Sequence, residues 1–146
     1  MHDHRGDGIH QRQGIDRSVI LNNSKQILID EKVRGRNKIT GKVYQDIALE
    51  EWSDREKKIQ GWVVKPLLCD YIAYAIAPLG ICYLMPVIQM QMAWKQNEIN
   101  WKKNYFSIIA KNEGYETLSW CIPVNTLFMA IGSCLRINFS PLEINE

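Results

Sequence analysis

The stretch "GIDRSVILNNSKQILIDEKVR", Gly14 to Arg34, places two short apolar runs on either side of a polar turn and interrupts both with charge. "DRSVIL" (16–21) reads as one strand, "NNSK" as a turn and "QILIDEKVR" (26–34) as the next strand. Asn22, Asn23 and Ser24 carry the turn chemistry, so an antiparallel hairpin is the expected connection. Strand side chains alternate faces: Leu28, Asp30 and Lys32 share one, and Ile27, Ile29, Glu31 and Val33 share the other, which is expected to be mostly core. Asp30 and Lys32 then lie about 7 Å apart along the strand, and Asp16 opens the partner strand. A buried carboxylate is costly unless it is paired or holds a cation. Two converging carboxylates form a hard-oxygen pocket suited to Mg²⁺. An ordinary strand-end ion pair is the competing reading of the same residues.

At 146 residues the chain is expected to form a single domain over residues 14–139, with a flexible N-terminus (1–13) and a flexible tail (140–146). A net charge of +2 is too small to imply a nucleic-acid or membrane partner by itself. Cys69, Cys82, Cys121 and Cys134 form no C-x-x-C pair and sit among apolar neighbours, so they read as reduced core residues. The polar amino terminus carries no signal-peptide pattern, and a cytoplasmic location is expected. The apolar stretch 71–88 is broken by Pro78, Gly80 and Pro86, so it reads as strand, turn and strand, and no membrane partner is expected. His2 and His4 flank Asp3 and offer a stray-metal site, but a mobile terminus is the expected state of "MHDHRGDGIH".

Beyond Arg34, "YQDIALEEW" (44–52) reads as a third strand, and "SDREKKIQGWVVKP" (53–66) as a loop or a short helical turn. "DYIAYAIAP" and "CYLMP" make a second hairpin, whose first arm is apolar enough to be covered on both faces. From Pro86 a helix is expected, with Val87, Met90, Trp94, Trp101 and Tyr105 on one core-facing side. An aromatic platform for nucleic acid is the alternative use of that face. "YETLSWCIP" (115–123) reads as a late strand and "VNTLFMAIGSCL" (124–135) as a final helix ending near Gly132. Lys32, Arg34, Arg36, Lys38 and Lys42 form a basic run with no acid between Val33 and Gln45. Such a run suits phosphate contacts, or a plain solvated loop.

"GID" (14–16) followed by "ILIDEK" (27–32) resembles the split motif of the PD-(D/E)XK nuclease superfamily, in its restriction-endonuclease-like and Holliday-junction-resolvase-like branches. The segment "DYIAYAIAPLGICYLMP" is similar, more loosely, to small phage and bacterial proteins of this type. The resemblance implies an α/β fold: a restriction-endonuclease-like mixed β-sheet flanked by the helix after Pro86 and the C-terminal helix. It implies Asp16 and Asp30 as ligands of Mg²⁺ or Mn²⁺, with the backbone carbonyl of Glu31 completing the protein's share, and Lys32 at the attacking water. The family's usual glutamate on a preceding helix has no counterpart before Asp16, so the N-terminal helix is expected to be missing. Glu50 or Glu51, on the next strand, is the candidate for a third carboxylate, with Glu50 the favoured of the two. Arg34, Arg36, Lys38 and Lys42 would hold the nucleic acid, and the missing flank leaves room for a homodimer. The implied activity is metal-dependent hydrolysis of DNA phosphodiesters, whether duplex, single-stranded or branched. The alternative is an inactive nuclease-fold protein serving as a nucleic-acid-binding or assembly module.

Overall fold

A computed structural model describes residues 1–132 and 134–144. In chain order these form β1 (His2–Asp3), α1 (Gly8–Arg12), β2 (Arg17–Ile20), β3 (Gln26–Arg34), β4 (Asp46–Asp54), β5 (Ile59–Gln60) and β6 (Tyr71–Ile76). A single 3-10 turn, Ala77–Leu79, leads into β7 (Ile81–Pro86), α2 (Val87–Asn104), β8 (Ser107–Asn112), β9 (Tyr115–Pro123), α3 (Val124–Ile131) and β10 (Leu135–Asn138). The hairpin at 16–34, the hairpin at 71–86 and the helix after Pro86 all form where the sequence places them. No helix among the described residues is long and apolar enough to cross a membrane.

The described residues, for which the sequence suggests a single domain over 14–139, gather into two compact units. The chain leaves the first unit twice, over 46–66 and 88–132, and those two excursions make the second. Neither departure is marked by a proline- or glycine-rich linker, so composition alone does not show it.

The first unit is a six-stranded sheet in the order β1-β2-β3-β6-β7-β10. Its one parallel pair is β3 with β6; the rest are antiparallel. β6 alternates cleanly: Ile72, Tyr74 and Ile76 are buried, while Tyr71, Ala73 and Ala75 are half-buried. The strand is thus fully covered on one face only, because the alanines present too little surface to seal the other. Parts of the two segments expected to be flexible, 1–13 and 140–146, make backbone hydrogen bonds to this unit, and β10 stands just before the second. β1 pairs with β2, and β10 pairs with β7 along its whole length. Beyond β10, the Phe139 N–H donates to the Gly80 carbonyl at 2.7 Å and the Leu142 N–H to the Ala77 carbonyl at 2.8 Å. Residues 145 and 146 of the expected tail lie outside the described residues.

The second unit is a four-stranded antiparallel sheet, β5-β4-β9-β8, with α2 and α3. The helices expected to flank the Asp30 sheet therefore belong to the other unit, and α1 is the one α-helix of the first among the described residues. On α2, Met90, Trp94 and Trp101 are buried as their spacing predicts, and the indoles of Trp94 and Trp101 approach to 6.3 Å between centroids. Glu51, on β4, is buried and doubly satisfied: Lys102 Nζ donates to Oε1 at 2.6 Å and Trp120 Nε1 to Oε2 at 2.8 Å. The α/β class holds, with sheets that are mostly antiparallel.

Two changes test this packing. Gly80 has φ of 62°, and a Cβ there would stand 2.1 Å from the Phe139 carbonyl oxygen. Gly80→Ala should therefore cost more than about 2 kcal/mol in urea denaturation, from left-handed strain plus displacement of the tail. Glu51→Ala strands the Trp120 N–H and leaves the Lys102 ammonium with Glu98 alone, and should cost about 2–3 kcal/mol by the same measurement.

Candidate functional site

The candidate site grows out of two strand registers. In the β2–β3 pair, Arg17 faces Ile29 and Ser18 faces Leu28, so continuing by one residue sets Asp16 opposite Asp30. In the parallel β3–β6 pair, Asp30, Lys32 and Arg34 stand beside Ile72, Tyr74 and Ile76. Cα partners project to the same face of a sheet. The acid, the lysine and the arginine thus share the side that β6 buries most deeply. This reverses the expectation that Ile27, Ile29, Glu31 and Val33 form the core face, and Val33 is in fact 58% exposed. The large side chains of β6 decide which face is closed, and β3 follows.

Asp30 is 5% exposed, and its Oδ2 lies 2.7 Å from Lys32 Nζ. Burial is the largest influence on its acidity and pushes the pKa up from 3.8; Lys32 pulls it down, and the neighbouring Asp16 carboxylate adds to the rise through a shared hydrogen bond and like charge. Asp16 is fixed by the backbone of β3: its N–H donates to the Ile29 carbonyl at 2.8 Å, and its Oδ2 accepts the Glu31 N–H at 2.8 Å. Lys32 Nζ lies 3.5 Å from the Glu31 carbonyl oxygen. The Glu31 side chain pairs with Arg17 on the other face. Cys69 sits against this cluster, its thiol pushed up to about 12 chiefly by burial and then by Asp30, so it is a neutral neighbour at physiological pH.

Asp16, Asp30, the Glu31 carbonyl and Lys32 are accordingly brought together. With both acids ionised the cluster carries a net charge of −1 in a mostly buried setting. That is the donor chemistry a hard divalent cation fits, since a dication and one phosphodiester charge together would neutralise it. The other sequence candidates are placed differently. Glu50 lies on β4, in the second unit, whereas the cluster belongs to the first. Arg34 is buried with its guanidinium 4.0 Å above the Tyr44 ring, and Arg36 is engaged by Glu143 at 3.1 Å. Arg34 is thus closed off, while Arg36 is half-exposed beside its carboxylate partner. Lys38 and Lys42 are exposed, on a loop braced by Asn37, whose Oδ1 accepts the Ile39 and Thr40 N–H groups at 2.9 and 2.8 Å. All four cysteines are free, Cys69 and Cys121 buried and Cys82 and Cys134 half-buried.

A helix does precede β2, but α1 is only "GIHQR" and carries no acid. Among the described residues the one group of three or more metal-ligating side chains is His4, Asp7 and His10 in this same N-terminal segment. The sequence reading passes over it by pairing His2 with His4. Its visible signal is the i, i+3, i+6 spacing of histidine, aspartate and histidine. Comparison of the chain with family models, with curated proteins and with solved structures finds no match.

The raised pKa of Asp30 has a definite consequence for stability. A carboxyl that holds its proton more tightly when folded loses stability for the fold as pH climbs from 3.8 through its raised native value. Over that window the wild type should lose urea stability relative to Asp30→Asn, which cannot ionise. Parallel curves for the two proteins would contradict the assignment.

Proposed function

We propose that the chain is a divalent-metal-dependent nuclease hydrolysing DNA phosphodiester bonds at the Asp16–Asp30–Lys32 cluster. The observation that carries this reading is the convergence of two carboxylates from adjacent strands with an ammonium 2.7 Å from one of them. A strand-end ion pair needs one acid; the second acid, beside a buried one, raises the cost unless a cation shares it. Asp16 and Asp30 would hold Mg²⁺ or Mn²⁺ together with the Glu31 carbonyl. When bound, the metal supplies Lewis-acid polarisation of the phosphoryl oxygen and a lowered pKa for a coordinated water.

The chain's own groups do the rest. The Glu31 N–H keeps Asp16 turned toward β3. Lys32, partly exposed while Asp30 is buried, stands at the solvent side of the pair and can orient the attacking water and offset charge on the phosphate. Lys38 and Lys42, rather than Arg34 and Arg36, are the cations left to meet the substrate backbone. The restriction-endonuclease-like arrangement is the fold this reading implies for the first unit.

A second reading has one observation in its favour: among the described residues no third carboxylate, histidine or cysteine joins Asp16 and Asp30 in a ligand cluster. A nuclease-fold module that binds nucleic acid without cutting it would have that appearance. Incubation with supercoiled plasmid in Mn²⁺ separates the two. The nuclease reading expects nicking that EDTA abolishes and that Asp30→Asn or Lys32→Ala lowers by about a hundredfold or more. Plasmid binding that needs no metal and brings no cleavage would favour the binding module.

A further inference from the structure

The N-terminal segment is fastened to β2 by its backbone. The His4 N–H donates to the Asp16 carbonyl at 2.6 Å, and the Ile15 N–H donates to the His10 carbonyl at 2.9 Å. Between these ties the chain turns through Asp7 into α1, and three ligating side chains face one another. The imidazoles of His4 and His10 stack with centroids 4.1 Å apart and planes inclined by 17°. His10 Nδ1 lies 2.6 Å from Asp7 Oδ2, while Asp7 Oδ1 accepts the Ile9 N–H at 2.9 Å. One ligating atom from each of His4, Asp7 and His10 lies within 4.8 Å of the other two.

The surroundings orient these ligands. His4 Nε2 is 3.0 Å from the Ser18 hydroxyl, and Ser18 is 1% exposed. With the His4 Nε2–H donating to the Ser18 hydroxyl oxygen, the Nδ1 lone pair is left for a metal, the usual support for a ligating histidine. The same burial of Ser18 removes it as a nucleophile with His4 as base, since no substrate reaches the hydroxyl. Asp7, in turn, is held by its cap contact, so its second oxygen is committed to the His10 side.

We propose that His4, Asp7 and His10 form a site for a zinc-class divalent ion that pins the N-terminal segment across the start of β2. Two imidazoles and a carboxylate suit Zn²⁺, Co²⁺ or Ni²⁺ and not Mg²⁺, which takes oxygen ligands. Bonds of about 2.0–2.1 Å set tetrahedral ligand atoms about 3.3 Å apart. The half-buried side chains of the cluster reach that spacing by small rotations, and the cation takes the place of the proton that His10 and Asp7 share. Three protein ligands leave a coordination position for water. The site does not rest on the nuclease reading, although His4 and Asp16 are neighbours through the backbone.

Co²⁺ and then Zn²⁺ would be titrated into the full chain after chelator treatment, followed by visible absorbance, calorimetry and thermal melting. The expected result is one equivalent of tightly bound metal and a Tm that rises with Zn²⁺. Asp7→Asn retains the helix cap and removes the charged ligand, and His10→Gln retains a polar side chain; each should weaken binding by about tenfold or more and abolish the Tm rise. Far-UV circular dichroism confirms that the variants fold. His2→Ala and Asp30→Asn should bind Zn²⁺ as the wild type does. Unaltered binding in folded Asp7→Asn and His10→Gln would overturn the site, as would loss of binding in His2→Ala, which would place the metal at the amino terminus. Loss in Asp30→Asn would place it at the strand cluster and overturn the site equally.

Discussion

The parallel pairing of β3 with β6 is the constraint on which the first unit depends. It is the one parallel contact in that sheet, and it sets Asp30, Lys32 and Arg34 beside Ile72, Tyr74 and Ile76. A one-residue slip would turn those three charged side chains to the half-covered face and bury Glu31 and Val33 instead. The antiparallel β2–β3 register then delivers Asp16 to Asp30. Every other feature of the cluster answers the cost of putting a carboxylate there. Lys32 balances one charge, the Glu31 N–H occupies one Asp16 oxygen, and the remaining negative charge is what a divalent cation would meet.

The two units solve the same problem differently. In the second, Glu51 is as buried as an acid can be without loss, because an ammonium and an indole N–H take one carboxylate oxygen each. That arrangement is complete and asks for no ligand. In the first, Lys32 pairs with Asp30, while Asp16 accepts the Glu31 N–H and shares a hydrogen bond with Asp30. Lys102 also reaches Glu98 at 3.3 Å, so what sets Glu51 apart is a donor on each carboxylate oxygen and not its charge balance.

Much of the local structure was legible. The alternation in "QILIDEKVR" marked β3 at its observed bounds, and the β9 and α2 patterns did likewise, because hydrophobic periodicity follows directly from strand and helix geometry. The face shared by Asp30 and Lys32 was legible for the same reason, whereas setting Asp16 opposite Asp30 needed the β2–β3 register. What was hidden is non-local. The buried face of β3 is chosen by β6, about forty residues away, so Ile27, Ile29 and Val33 suggested the wrong face. β8 and β10 carry little periodic burial and were passed over; β10 gains its place from β7 alone. The division into two units leaves no mark on composition, since the chain crosses between them after Gln45, Pro66, Val87 and Gly132 without a linker. The His4–Asp7–His10 cluster escaped notice because an N-terminal segment with no apolar pattern offers no reason to expect order; its order comes from backbone bonds to β2.

The central claim is that Asp16 and Asp30 share a hard divalent cation, with Lys32 beside it. A crystal structure of the chain grown in Mn²⁺, with anomalous diffraction recorded near the manganese edge, tests this most directly. The account predicts an anomalous peak within coordination distance of one oxygen from each of Asp16 and Asp30 and of the Glu31 carbonyl. A structure with Mn²⁺ bound elsewhere, or with Lys32 and Asp30 still paired and no peak between the two carboxylates, would contradict it and leave the cluster an ion pair with a costly neighbour.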